Sequence, residues 1–147
     1  MNVFNKIISV TTKQEYDCTD ITDQVKEMVN ESQIKNGLVN VQTMHTTAAI
    51  ILNENEPLLI EDIKSHLEKL SSKESSYNHD NFEIRTVNMC DGECANGHAH
   101  CKAILLPSTA TLNLLDGKLQ LGQWQRILFW ELDRSRSREI QVHIFGE

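Results

Sequence analysis

The chain has 147 residues, 39% of them hydrophobic, and a formal net charge of −7; a single domain spanning residues 1–147 is expected, large enough to bury about two thirds of the surface its unfolded chain exposes. The acidic balance argues against a sequence-independent nucleic-acid binder, because such binding needs Lys and Arg to displace phosphate counterions. No run approaches the roughly 18 apolar residues of a membrane span, and the first residues lack the apolar core of a signal peptide, so a cytoplasmic protein without membrane contact is expected, its four cysteines free or metal-bound.

Residues 3–11 are rich in β-branched side chains and predict a first strand, with a second at 14–18. Ile21, Val25, Met28 and Val29 then recur at helical spacing, with Thr19 or Asp20 as the cap and Asn36-Gly37 as the stop. Residues 38–44 lean towards a strand that leads into His45. The Ile50-Ile51 pair marks another, with His45 at one end and Asn53 and Glu54 at the other. Pro57 suits the first turn of a second helix, which Leu59, Ile63, Leu67 and Leu70 continue. Glu61 and Asp62 near its start favour the helix dipole.

Residues 71–81 are polar and predict a loop carrying Tyr77 and His79. A short strand is expected at 82–87, and a short helix at 99–106, ended by Pro107. Residues 109–115 and 118–121 flank Asp116-Gly117, the strongest hairpin signal in the chain. In a strand over 124–132, Trp124, Leu128, Trp130 and Leu132 face one way while Ile127 and Phe129 face the other, which predicts cover on both sides. A final strand over 138–145 aligns Arg138, Ile140, Val142 and Ile144. The expected class is α+β: a mostly antiparallel sheet, sandwich or barrel-like, with two main helices and a short third.

Residues 88–102 hold three of the four cysteines and two of the six histidines. Thiolates and neutral imidazoles are zinc donors, so a metal site is one expectation. It has two forms. One is a local zinc knot of Cys90, Cys94, His98 and His100 or Cys101, although no second cysteine pair follows the Cys90-x3-Cys94 spacing. The other is a distributed site in which one or two of these histidines meet His45 and His79, leaving an open position for chemistry. Against both stands ordinary packing, with cysteines as small apolar side chains and histidines hydrogen-bonded in a loop. Asn53, Glu54, Asp62, Gln125 and Glu131 qualify as general bases, as partners orienting histidines, or as solvated residues. Arg134, Arg136 and Arg138 can grip a phosphate or carboxylate, or balance neighbouring acids. No P-loop, dinucleotide fingerprint or G-x-S-x-G elbow is present, which disfavours those nucleotide and hydrolase classes.

His45-Thr46-Thr47-Ala48, Asn53-Glu54-Asn55, Tyr77-x-His79, Ala99-His100-x-Lys102-Ala103, Gly117-x-Leu119-x-Leu121-Gly122-x-Trp124-Gln125, Glu131, Arg138 and the closing Gly146-Glu147 stand in one order over nearly the whole chain. Together they resemble the YjbQ family (UPF0047), also called secondary thiamine-phosphate synthase enzymes. The resemblance implies a fold dominated by antiparallel strands, a homotrimer, and weak joining of a pyrimidine pyrophosphate to a thiazole phosphate. It implies His45, His79 and His100 as a site that takes a divalent metal, zinc or magnesium. Glu54 and Glu131 would handle protons, and Asn53, Trp124, Gln125 and Arg138 would bind a small phosphorylated metabolite. The alternative is a non-enzymatic metabolite- or metal-binding protein. Two departures stand out: Leu105-Leu106-Pro107 where relatives carry Leu-Leu-Gly, and Asp133-Arg134-Ser135-Arg136 where they carry Asp-Gly-Pro-Arg.

Overall fold

Residues 1–147, all described by the computed structural model, form eight strands and three α-helices. In chain order these are β1 (Asn2–Thr11), β2 (Cys18–Asp20), α1 (Thr22–Ser32), β3 (Gly37–Thr43), β4 (Ala48–Asn53), α2 (Pro57–Leu70), α3 (Gly97–Ala103), β5 (Thr109–Leu115), β6 (Lys118–Leu119), β7 (Arg126–Glu131) and β8 (Ser137–Gly146). The strands make two sheets, ordered β1-β8-β3-β5-β6 and β2-β7-β4. Every pairing is antiparallel, as the α+β reading predicts. No helix is long and apolar enough to cross a membrane.

Alternation along each strand decides where the core lies. The larger sheet turns Ile8, Val39, Val41, Leu112, Leu114, Ile140, Val142 and Ile144 towards Ala48, Ile50, Ile127 and Phe129 of the smaller one, and Val25, Met28 and Val29 of α1 join them. The opposite face of the smaller sheet buries Ala49, Leu128 and Trp130, with Leu132 just beyond β7, against Leu67 of α2 and Ala99 of α3. Strand β7 is therefore covered on both sides, each large apolar residue contributing about 1.5–3 kcal/mol. This sandwich fixes the ends of β4 and β7, where the polar residues gather.

Four local expectations shift. Cys18, Thr19 and Asp20 pair with Trp130, Phe129 and Leu128, so the second strand begins at Cys18, the last residue of the expected 14–18, and the first helix starts at Thr22. That helix ends at Gln33 in a left-handed conformation, φ 58°, ahead of Asn36-Gly37. Gly37 is instead a strand residue, where a Cβ would lie 2.0 Å from the Phe145 carbonyl oxygen. Residues 82–87 find no sheet edge and form turns and bends, leaving Phe82, Ile84 and Val87 exposed. Trp124 precedes β7 and is 65% exposed instead of packing with Leu128 and Trp130.

Candidate functional site

The register of β4 on β7 divides the expected site residues between two ends of the smaller sheet. Ala48 faces Glu131 at one end and Asn53 faces Arg126 at the other, a separation of roughly 17 Å at about 3.4 Å per residue. His45, Glu131 and Arg138 belong to the first end. Asn53, Glu54, Trp124 and Gln125 belong to the second.

At the second end a cavity of about 270 Å³ is lined by Asp20, Glu54, Asn55, Glu56, Gln123, Trp124 and Arg126. Arg126 Nε donates to Asp20 Oδ2 at 2.6 Å, and Asn55 Nδ2 donates to the same oxygen at 3.3 Å. Asn53 Oδ1 accepts from the Glu54 amide at 2.9 Å, and Gln125 Oε1 accepts from the Gly122 amide at 2.8 Å. Both amide side chains thus stabilise their own turns.

At the first end Glu131 is fully buried. Arg138 reaches it with Nε to Oε2 at 2.7 Å and Nη2 to Oε1 at 2.5 Å. Thr12 Oγ1 and the Asp133 amide donate to the same carboxylate, each at 3.0 Å. Arg138 Nη2 also donates to Thr47 Oγ1 at 2.9 Å, which steadies the start of β4. His45 Nε2 accepts from the Glu139 amide at 2.9 Å, so Nδ1 carries the ring proton. Burial, reinforced by the Arg138 charge, holds His45 below its ordinary pKa. Next along the chain, Arg136 donates to Asp133 Oδ2 from Nε at 3.2 Å and from Nη2 at 2.8 Å, and Arg134 reaches Oδ1 at 3.3 Å. The three arginines balance acids.

His79 and His100 meet because two segments approach unusually closely. Helix α3 has only seven residues and no side-chain cap of its own. Asp80 Oδ1 supplies one from outside, accepting from the Asn96 and Gly97 amides at 2.9 and 2.8 Å. A Cβ on Gly97 would fall 2.5 Å from Tyr77 Cβ, so glycine is what permits the contact. The rings of His79 and His100 consequently stand edge to face, 4.6 Å between centroids and 62° between planes. Burial, then the neighbouring His79, holds His100 below its ordinary pKa. These two rings, with Thr46, Arg85, Val87, Asn88 and Glu93, line a cavity of about 480 Å³.

Two buried polar atoms around this contact, His79 Nε2 and Asn96 Oδ1, have no hydrogen-bond partner. A buried unsatisfied polar atom is unfavourable by about 1–3 kcal/mol, and His79, unlike Asn96, lines the cavity, so its free nitrogen favours a polar occupant there. The structure thus brings His79 to His100, while His45 Nε2 is engaged with Glu139. No three His, Cys, Asp or Glu side chains gather as a metal-holding group. Of the local knot's expected donors, Cys90 and Cys94 are exposed free thiols, while His98 is buried. Burial pushes the Cys18 thiol up to about 12, which keeps it protonated.

Lys102 stands in the Ala99-His100-x-Lys102-Ala103 motif, but the polar centre it forms is not readable from the sequence. Lys102 is fully buried on α3, its Nζ donating to Glu15 Oε1 at 2.9 Å, to Glu68 Oε1, and to His98 Nδ1 at 3.2 Å. Three ammonium protons meet three acceptors, and the charge lies 4.7 Å from the centre of the Tyr16 ring. His98 is accordingly neutral with its proton on Nε2, its pKa lowered by burial and then by Lys102. This cluster ties α3 to α2 and to the β1–β2 connection, setting the helix that carries His100. The motif and the His98–Lys102 spacing of four were the sequence signals; Glu15 and Glu68 are too far along the chain to be linked to Lys102 by inspection.

Comparison with known proteins accounts for nearly every residue described. The family model described as UPF0047 protein YjbQ-like matches residues 6–147. A UPF0047 protein from Methanothermobacter thermautotrophicus is 36% identical over 147 residues, covering 100% of this chain and 95% of that relative. A solved YbjQ-like protein of unknown function from Sulfolobus solfataricus P2 superposes with a TM-score of 0.87 at 36% identity, over 99% of this chain and 98% of that one. A YjbQ/UPF0047 protein from Clostridium acetobutylicum gives a TM-score of 0.83 at 35% identity, over 95% of this chain and 99% of that one. With the family model matching residues 6–147 and relatives aligned over nearly their full length, the chain belongs to the YjbQ (UPF0047) family.

Proposed function

We propose that this protein is a small-molecule enzyme with weak thiamine-phosphate synthase-type activity, acting on a phosphorylated metabolite in the cavity at His79 and His100. The carrying observation is the buried His79 Nε2, without a partner and beside His100 on the cavity wall. In the reaction, the thiazole nitrogen attacks the methylene carbon of the pyrimidine pyrophosphate, the carbon–oxygen bond breaks, and pyrophosphate leaves with the bonding pair. Imidazoles suit the leaving group, because each can donate a hydrogen bond or a proton to an oxygen that gains charge. Thr46 adds a hydroxyl at the same wall. A divalent ion, zinc or magnesium, would accompany the pyrophosphate with His79 and His100 as its protein ligands and would neutralise phosphoryl charge.

A homotrimer forms part of the proposal. Asn53, Glu54, Trp124 and Gln125 lie at the opposite end of β4 from Thr46, which lines the histidine cavity, and Glu54 and Trp124 line a separate cavity, so a single reaction that uses both sets draws them from two copies. In that arrangement Glu54 handles protons and the exposed Trp124 stacks on a ring. Glu131 and Arg138 act from within, holding β7, β8 and the Thr47 turn in register.

A second reading, a binding protein without turnover, is favoured by one observation: the acids nearest the cavity are already paired, Glu93 with Arg85, Asp133 with Arg136 and Glu131 with Arg138. Incubation with the two thiamine precursors separates the readings. Slow product formation, reduced at least about a hundredfold in His100→Ala, supports the enzyme. Tight binding with no product at high protein concentration supports the binding protein.

A further inference from the structure

The cavity wall opposite the histidines is built by residues 85–93, which supply Arg85, Val87, Asn88 and Glu93. Its attachment to the protein is slender. Between residues 86 and 95 every hydrogen bond stays within 85–95: Glu93 N to Cys90 O, Cys90 N to Glu93 Oε2, Cys94 Sγ to Gly92 O, and the bonds from Arg85. Apolar burial does not hold it either, since Val87 and Met89 point to solvent, 67% and 43% exposed.

What remains is the Arg85 guanidinium. Its Nη2 donates to Asn88 O at 2.7 Å and its Nε to Val87 O at 3.3 Å, gathering the segment from one side. Its Nη1 donates to Glu93 Oε1 at 2.7 Å and to the His79 carbonyl at 3.3 Å. The last bond joins the segment to the histidine that lines the cavity. The side chains of Arg85 and Glu93 are 13% and 17% exposed, so this pair is shielded from solvent in a way that surface pairs are not.

We propose that residues 86–95 are a strap over the His79–His100 cavity, latched by Arg85 and opened to admit ligand. A segment with few outside contacts opens at low free energy, while the sandwich behind it stays closed. The latch is charge-assisted and spans both ends of the segment, so its release frees the strap as a unit. As a gate the strap rests on the cavity being the ligand site; as a moving element it does not, and the two can be tested apart.

Hydrogen exchange read by mass spectrometry, on the full chain as wild type, Arg85→Met and Glu93→Gln, tests the latch. Arg85→Met should speed exchange at the hydrogen-bonded Cys90 and Glu93 amides by about tenfold or more, with β7 and β8 unchanged. Glu93→Gln, which keeps the carbonyl contacts, should give a smaller increase. Diethyl pyrocarbonate should label His79 and His100 several-fold faster in Arg85→Met, with the exposed His66 as an unchanged internal reference. Unaltered exchange and labelling in both variants would overturn the latch. If Arg85→Met accelerates exchange everywhere, Glu93→Gln decides, and no local acceleration there overturns it. Inorganic pyrophosphate should slow strap exchange in the wild type. Its failure to do so, with the latch effects intact, would remove pyrophosphate as the ligand and leave the moving strap standing.

Discussion

Arg138 grips the fully buried carboxylate of Glu131 with two prongs, at 2.7 and 2.5 Å. Both groups have left water, so the pair is worth far more intact than halved. Arg138→Met leaves a buried, unpaired carboxylate and should destabilise the domain by about 3–5 kcal/mol. Arg138→Met combined with Glu131→Leu should recover part of that loss. Urea midpoints of wild type, single and double variants check the sign of the recovery.

Lys102 and Glu68 give a pH signature. Burial raises the pKa of Glu68, but hydrogen bonds from Lys102, Tyr16 and the Lys73 amide outweigh it and hold the group at about 2, against 4.5 ordinarily. A carboxylate depressed in the folded state contributes stability that is complete above 4.5 and lost as pH falls towards 2. Denaturation free energies measured between pH 5 and about 2 should therefore fall for the wild type, and fall less for Lys102→Met, which lacks the ammonium partner.

The histidines act in a higher window. His45, His98 and His100 all lie below the ordinary value of 6.5, chiefly through burial. Their protonation favours the unfolded chain, so stability should be level above 6.5 and decline as pH drops below it. Imidazole titration followed by nuclear magnetic resonance should place all three transitions below 6.5.

Cys90→Ser and Cys94→Ser should each leave the melting temperature within about 2 °C of wild type, because both side chains are exposed, Cys94 making only a local bond to the Gly92 carbonyl, and such surface changes alter stability by about 0.5 kcal/mol or less. Chelation should likewise leave the fold intact. A large loss from either treatment would mean that these thiols hold a structural metal.

Much of the sandwich was legible because alternation is a local property. Leu128 and Trp130 face one core, Ile127 and Phe129 the other, and Arg138 shares its face with Ile140, Val142 and Ile144, all buried. Alternation misled where a strand needs a neighbour. Residues 82–87 have the composition of a strand, yet they pair with no strand and stay in turns and bends. Trp124 continues the periodicity of β7 but lies beyond the last pair, Asn53 with Arg126. For the site, His79 and His100 were nameable, whereas their contact depends on Gly97 admitting Tyr77 and on Asp80 capping α3. Lys102 was nameable from its motif, but its role was not: a lysine is almost never fully buried, and only the fold gathers Glu15, Glu68 and His98 around it.

Titration calorimetry with inorganic pyrophosphate, wild type beside His100→Ala, tests the central claim most directly. The cavity at His79 and His100 predicts saturable binding to the wild type, weakened about tenfold or more in the variant while its melting temperature is kept. Equal affinity for the two proteins, or no binding to either, would contradict it.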